Sequence, residues 1–360
     1  MAAALAAVPA LAADLKPVIV ARNLEHPWGL AFLPDGRMLV TERPGRMRIV
    51  ARDGRVSAPL AGLPAVFDNN QGGLLDVVVH PQFAENRLVF FTFSEPGDGA
   101  NANLAGTAVA RARLDGERLA DVRVIFRQQP KVGGGLHFGS RLVFARDGRL
   151  FVTLGERGHR KDDAQTLDNH LGKVARIEID GRVPPDNPFV GRAGAKPELW
   201  SYGHRNPQGA ALHPDSGELW LTEHGPQGGD ELNIPAAGAN HGWPVITHGR
   251  NYGIGTKIGE GSERADIAPP VHYWVPTSIA PSGMAFLTSE RYGDWKGQLF
   301  VGALRGQKLV RLELDGRKVV KEHALLADRA TRIRDVRQGP DGWLYVLTDH
   351  EAGQIWRLER

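Results

Sequence analysis

The sequence predicts an all-β fold, a six-bladed β-propeller, on three observations. One strand-turn phrase recurs six times along the chain, most copies lead into a second short strand of alternating polarity, and no convincing amphipathic helix separates them. The phrase is a Pro/Asp/Gly turn followed by an apolar strand that ends in Thr, Glu or Gly. A pair of β-sandwiches is the competing architecture, but six matching phrases in one chain favour radial repetition.

Taken in chain order, residues 1–13 are an Ala-rich apolar stretch ending in Ala10-Leu11-Ala12, an A-x-A cleavage pattern without the usual positive start. They read as the tail of a secretory leader and are set apart from the fold. Export together with a chain that has no cysteine fits the bacterial periplasm. The remaining residues, 14–360, are expected to form one propeller domain. Its first strand, near Val18-Ile19-Val20-Ala21, is expected to pair with the last blade.

The phrase then appears at Pro34-Asp35-Gly36 before Met38-Leu39-Val40-Thr41-Glu42, and more loosely at His80-Pro81-Gln82-Phe83 before Leu88-Val89-Phe90-Phe91-Thr92. It returns at Asp147-Gly148, at Pro214-Asp215-Ser216-Gly217, loosely at Tyr292-Gly293-Asp294-Trp295, and at Pro340-Asp341-Gly342. Second strands run into Asp53-Gly54, Asp180-Gly181 and Asp315-Gly316, dipeptides that supply the positive backbone angles of tight hairpins. Uneven spacing leaves two long insertions, about 155–207 and about 223–283, dense in Gly, Pro, Asn, His and Asp. Such loops are where a propeller places function.

Composition narrows the chemistry. With no cysteine, the chain has no disulfides, zinc–cysteine sites, iron–sulfur clusters or thiol nucleophiles. Forty-four Lys+Arg against 41 Asp+Glu give a net charge of +3. No block of five or six basic residues occurs, which argues against nucleic acid or a membrane surface, and no apolar run is long enough to span a bilayer. An anionic small ligand fits this balance.

Candidate functional residues cluster in the loops. His137 follows Gly133-Gly134-Gly135-Leu136 at a strand entry, where glycines permit close backbone approach and an imidazole acts as a base near neutral pH. Glu156, at the end of the next strand, is placed to orient that ring. Arginines stand at Arg205-Asn206-Pro207, Arg305-Gly306 and Arg332-Ile333-Arg334; alternation puts Arg332 and Arg334 on one face, and convergent guanidinium groups suit a polycarboxylate. The segment from Glu223 to Ile234 combines turn formers with Asp230 and Glu231, hard oxygen donors that suit calcium more than zinc. There is no H-E-x-x-H, Walker loop, dinucleotide fingerprint or nucleophile elbow.

Several long motifs together resemble the soluble pyrroloquinoline-quinone (PQQ) dependent aldose sugar dehydrogenases, relatives of soluble quinoprotein glucose dehydrogenase. They are Gln71-Gly72-Gly73-Leu74-Leu75-Asp76, residues 136–142 around His137, residues 199–209, residues 223–231 and Thr331-Arg332-Ile333-Arg334-Asp335. The resemblance covers essentially all of the chain after the leader, and that family's fold is also a six-bladed propeller. It implies that His137 takes the proton from the anomeric hydroxyl of an aldose while hydride passes from C1 to C5 of PQQ, giving the aldonolactone. It implies that Glu156 orients His137 and that Arg205 and Asn206 contact the quinone end. Gln71, Tyr252, Ala303, Leu304, Arg305, Arg332, Ile333 and Arg334 match the cofactor-binding wall. The carbonyls of Gly225 and Pro226 match the calcium site beside PQQ, and Glu231 with the carbonyl of His241 matches a further calcium site.

The chain departs from the glucose enzyme at Leu136, where that enzyme has an acidic residue, at His224 for glutamine, at Arg305 for lysine and at His241 for tyrosine. These departures bear on glucose specificity more than on PQQ use. The implied partners are an aldose and an external electron acceptor. A calcium-dependent lactonase and a non-enzymatic glycan-binding propeller are the alternatives the fold admits.

Overall fold

Every copy of the strand-turn phrase joins the innermost strand of a small sheet to its second strand. In the computed structural model, which describes residues 15–360, six such sheets are arranged as a six-bladed β-propeller. The expected leader over residues 1–13 lies outside the described residues. The innermost strands are Pro27–Phe32, Leu74–Val79, Leu142–Phe144, Pro207–Leu212, Pro281–Phe286 and Ile333–Gln338. Each pairs antiparallel with the strand that follows its turn: Met38–Glu42, Leu88–Pro96, Leu150–Leu154, Leu219–Glu223, Leu299–Ala303 and Leu344–Thr348. The sheets of blades three to six have four strands, blade one has three, and blade two carries a fifth.

The ring closes as the sequence predicts. Lys16–Leu24 forms the outer strand of blade six, antiparallel to Gly353–Glu359, with Lys16 opposite Glu359 and Ile19 opposite Trp356. Closure thus joins the first and last strands of the chain in one sheet.

Adjacent blades pack face to face, so second strands are buried on both sides and read as apolar runs; Leu299–Ala303 is buried throughout. The core is accordingly divided among six interfaces. Leu39, Val77 and Phe91 fill the first, Phe90, Leu142 and Val152 the second, and Phe151, Ala210 and Leu221 the third. Trp220, Met284 and Val301 fill the fourth, Phe300, Ile333 and Val346 the fifth, and Leu30, Val40 and Leu347 the closing one.

The threonine that ends the phrase also has a structural reason. Thr92 Oγ1 donates to Ser140 O at 2.9 Å, Thr153 Oγ1 to Pro207 O at 3.1 Å and Thr222 Oγ1 to Ser282 O at 3.1 Å, each on the innermost strand side of the next blade. In blade five the corresponding position is Gly302; Ser282 Oγ instead reaches Ile333 O at 2.6 Å, and a Cβ on Gly302 would stand 2.6 Å from that hydroxyl.

Candidate active site

His137 and Glu156 meet because two loops of blade three back onto each other. A Cβ on Gly155 would lie 2.1 Å from His137 O, so only glycine allows this approach. His137 has φ +51°, which turns its ring out of the strand path and toward the carboxylate. Its Nδ1 lies 2.8 Å from Glu156 Oε1, and its backbone N–H donates to Gln71 Oε1 at 2.9 Å. A carboxylate accepts, so Nδ1 carries the hydrogen and Nε2 keeps its lone pair. Burial, and then the positive charge of Arg205, push the imidazole below its ordinary value of 6.5, while Glu156 opposes them. The result is an imidazole biased toward its neutral form and held against a buried carboxylate.

Arg205 and Asn206 stand on the neighbouring blade. Asn206 Oδ1 accepts the Gly139 N–H at 3.1 Å, and its Nδ2 lies 3.5 Å from Gln71 Oε1, so Gln71, Asn206 and the His137 loop form one cluster. The Arg205 N–H donates to Glu223 Oε2 at 2.6 Å; its Nη1 donates to His224 O and to Gly225 O at 3.1 and 2.7 Å. Its guanidinium lies over Trp243, and its buried Nε has no hydrogen-bond partner among the described residues.

A cavity of about 650 Å³ opens beside this cluster, within the range of small-molecule sites. Gln71, Trp28, Gln208, His224, Leu304, Arg332 and Arg334 contribute to its wall. His137, Arg205 and Asn206 are not among its lining residues; Gln71 connects His137 and Asn206 to it, and the His224 carbonyl connects Arg205. Arg332 and Arg334 do lie on one face, as alternation predicts: both donate through Nη2 to Asp349 Oδ2, at 2.9 and 3.1 Å. Arg334 also donates to Gln208 Oε1 at 2.7 Å, and its buried Nε is unpartnered among the described residues. These arginines and His26 hold the Asp349 carboxyl well below the usual carboxylate range against the opposing effect of burial.

Other expected residues fall elsewhere. Ile333 points the opposite way from its arginine neighbours, into the core between blades five and six, and its carbonyl is taken by Ser282. Arg305 is exposed and off the cavity wall; only its backbone is engaged, donating to Ile279 O at 3.0 Å. Ala303 is buried at the end of its strand, opposite Lys308, whereas Leu304 reaches the wall. Tyr252 is 61% exposed, and its hydroxyl donates to Pro226 O at 3.0 Å.

The expected metal residues form two groups. Gly225 O and Pro226 O each already accept a bond, from Arg205 and Tyr252, and each retains a second lone pair. Glu231 belongs to a buried chain: His204 Nδ1 lies 3.0 Å from Glu223 Oε1, and Asn233 Nδ2 donates to Glu223 Oε1 and Glu231 Oε2 at 2.9 and 3.1 Å. Burial, and then the charge of Glu223, push the Glu231 carboxyl up to about 8, and Asn233 Oδ1 is buried without a partner among the described residues. His241 stacks on His204 with ring centroids 4.6 Å apart. No group of three or more His, Asp or Glu side chains among the described residues is arranged to hold a metal by itself.

Three supporting roles escape sequence reasoning, the first of them that of Asp230, expected as a calcium donor but engaged by backbone N–H groups. Asp230 accepts from Gly225 N, Ile279 N and Ala280 N at 2.8, 2.7 and 3.0 Å and from the Ser278 hydroxyl, which ties the Gly225-Pro226 turn to the Leu304 wall. Asp349 gathers Arg332, Arg334 and His26. A ring of four charges plugs the axis under the cavity: Arg141 lies 3.1 Å from Asp76 and 3.0 Å from Asp335, and Arg337 lies 2.8 and 2.9 Å from the same two. Asp76, Arg141 and Asp335 stand at or near the ends of three of the long motifs, yet nothing local in the sequence shows that they converge. Gly283 makes room for them, since a Cβ there would lie 2.0 Å from Asp335 Oδ1.

Known proteins resemble the chain over nearly its whole length. A family model described as Glucose / Sorbosone dehydrogenase matches residues 24–357. Aldose sugar dehydrogenase YliI of Escherichia coli (strain K12) is 48% identical over 351 residues, covering 96% of this chain and 93% of the relative. A solved glucose dehydrogenase superposes with a TM-score of 0.92 at 50% identity, covering 95% of this chain and 99% of that one. The PQQ-bound form of an aldose sugar dehydrogenase from Streptomyces coelicolor superposes with a TM-score of 0.79 at 30% identity, covering 96% and 98%.

Proposed function

This chain belongs to the glucose/sorbosone dehydrogenase family, and from that premise we propose that it oxidises aldose sugars at C1 to the aldonolactone in a PQQ- and calcium-dependent reaction, passing the electrons to an external acceptor. The observation that carries the reading is the buried His137–Glu156 pair, joined through Gln71 to a cavity walled by arginines.

The residues fit the cofactor. PQQ carries three carboxylates, and Arg332 and Arg334 offer the planar donors that match them, with Arg334 Nε buried and unpartnered among the described residues. Gln71 and Leu304 would complete that wall, and Arg205 and Asn206 would hold the quinone end. Arg305, Tyr252, Ala303 and Ile333 would act, if at all, from outside the cavity lining. Bound PQQ supplies the hydride acceptor.

The chain's own residues do the rest. Neutral His137 takes the hydroxyl proton at Nε2 as hydride leaves C1, so the C1–O single bond becomes the lactone carbonyl. Glu156 offsets the positive charge the ring acquires. Arg205, positive and desolvated, favours negative charge nearby.

For calcium the donors are oxygens throughout. Glu231, whose carboxyl is pushed up by burial and then by the adjacent Glu223 charge, together with the unpartnered Asn233 Oδ1, would favour a dication at a site completed by the His241 carbonyl. Gly225 and Pro226 bring only two carbonyls, so calcium there would take its remaining ligands from cofactor and water. The Ala-rich leader supports a periplasmic location; no helix among the described residues is long and apolar enough to cross a membrane.

The test is reduction of an artificial electron acceptor by the purified protein across an aldose panel, with PQQ and calcium each added or withheld. Dye reduction that requires PQQ and sugar together supports the proposal. Lactone hydrolysis without PQQ would overturn it in favour of a hydrolase, and glycan binding without turnover in favour of a lectin-like propeller.

A further inference from the structure

Directly after Glu156 stands an arginine that no motif singles out. Arg157 is only 1% exposed, with φ +66°. Burying a guanidinium is costly unless it is well partnered, and this one is not: Nε and Nη1 have no hydrogen-bond partner among the described residues. A site that needed only packing would be served by an apolar side chain of similar volume. What Arg157 touches is the turn that carries His137, at three places. Its backbone N–H donates to His137 O at 3.3 Å, its Nη2 donates to Gly134 O at 2.6 Å and at 3.5 Å to Val132 O just before the turn, and its guanidinium lies over the Phe138 ring, 3.6 Å from the centroid.

We propose that Arg157 is a positioning residue for His137: it clamps the Gly134–Phe138 turn at its start, its centre and its end, so that the imidazole meets Glu156 through Nδ1 and presents Nε2 outward. His137 and Arg157 are both in the left-handed region, and the bond from the Arg157 N–H to His137 O links the two strained residues. The clamp also carries a charge. The charged and titratable groups facing His137 are Glu156 and Arg157 from its own blade, and Arg205 and His224 from the next. Arg157 and Arg205 disfavour the protonated ring and Glu156 favours it, so Arg157 helps keep the ring neutral when no substrate is bound.

The inference deepens the proposed dehydrogenase reading, but one arm of its test does not depend on it. In the cofactor-free protein, the His137 ring signal is assigned by its loss in H137N and titrated by NMR in wild type, R157M and R157K. R157M removes the charge and is expected to raise the His137 midpoint; R157K keeps the charge and leaves it in place. In the PQQ-loaded enzyme both variants lower kcat at least about tenfold with KM changed far less, because a base displaced by a fraction of an ångström loses alignment rather than affinity. F138L, which removes the plane under the guanidinium and keeps the charge, is expected to lower kcat likewise without moving the midpoint, and it stands in should R157M fail to fold. An unmoved midpoint in R157M, or a kcat within twofold of wild type in the folded variants, overturns the proposal. Absence of any dye reduction by wild type defeats the dehydrogenase reading instead, and the titration still decides the role of Arg157.

Discussion

Replacing Glu156 by Gln isolates the contribution of the orienting carboxylate. The native Nδ1–Oε1 contact is 2.8 Å with the carboxylate fully buried, and it becomes charge-assisted as His137 takes up a proton. Hydrogen bonds to charged groups contribute about 1.5–3 kcal/mol. Taking about 2–3 kcal/mol for this desolvated pair, at about 1.4 kcal/mol per decade, kcat falls about 30- to 150-fold while KM for the aldose is little changed. The pH profile adds a sign. In the proposed reaction His137 acts as a base only when neutral, and its folded pKa is already below 6.5, so the acid limb of wild-type kcat/KM is expected below pH 6.5. Glu156 pulls that pKa upward; without it the limb moves to still lower pH even as the plateau drops. The assay is dye reduction by the PQQ-loaded enzyme across acid to alkaline pH. A kcat within threefold of wild type, or an acid limb moving to higher pH, refutes the reasoning.

Three further outcomes follow from the same geometry. Arg334→Ala is expected to weaken PQQ binding about 10- to 150-fold, the worth of a charge-assisted bond to a carboxylate. Arg332→Ala costs less, since its side chain is 46% exposed and screened; titration followed by tryptophan fluorescence reads both, and equal losses would contradict the burial difference as the cause. Asp230→Ala strands the buried N–H groups of Gly225 and Ile279 and the Ser278 hydroxyl, while the Ala280 N–H keeps Ser278 Oγ, and is expected to lower unfolding stability by at least about 2 kcal/mol; a loss under about 1 kcal/mol in urea would show that the turn does not depend on it. His137 and His170 are both buried with pKa values depressed below 6.5, so their contribution to stability is complete above that pH and is lost as pH falls through the folded values. Each steepens the fall by up to about 1.4 kcal/mol per pH unit, and a melting temperature that stays level or rises as neutral solution is acidified contradicts this.

Much of the fold is legible in the sequence because the propeller repeats one local rule. The Asp-Gly turns, the doubly buried second strands and the blade-stitching threonines are each set by short-range geometry, so six copies can be counted along the chain itself. Closure by Val18–Ala21 is legible too, since an unpaired first strand needs the last blade. The site is legible where alternation or adjacency decides it: Arg332 and Arg334 share a face, and the same rule sends Ile333 into the core. What the sequence hides are convergences across many residues. Asp230 gathers donors from a loop about fifty residues on, and Asp76, Arg141 and Asp335 meet from three different blades, whereas Asp349 meets Arg334 within blade six, where Ile333 pairs with Thr348. Arg305 and Tyr252 miss the cavity because their loops turn outward, which residue type alone does not reveal.

The central claim is that hydride leaves C1 of an aldose while His137 takes the hydroxyl proton. Single-turnover mixing of the PQQ-loaded protein with an aldose, protiated or deuterated at C1, tests it in wild type and H137N by the cofactor's absorbance change. The account predicts a primary isotope effect on that change in wild type and a rate at least about a hundredfold lower in H137N. No isotope effect under conditions where chemistry limits the rate, or an H137N rate equal to wild type, would contradict it.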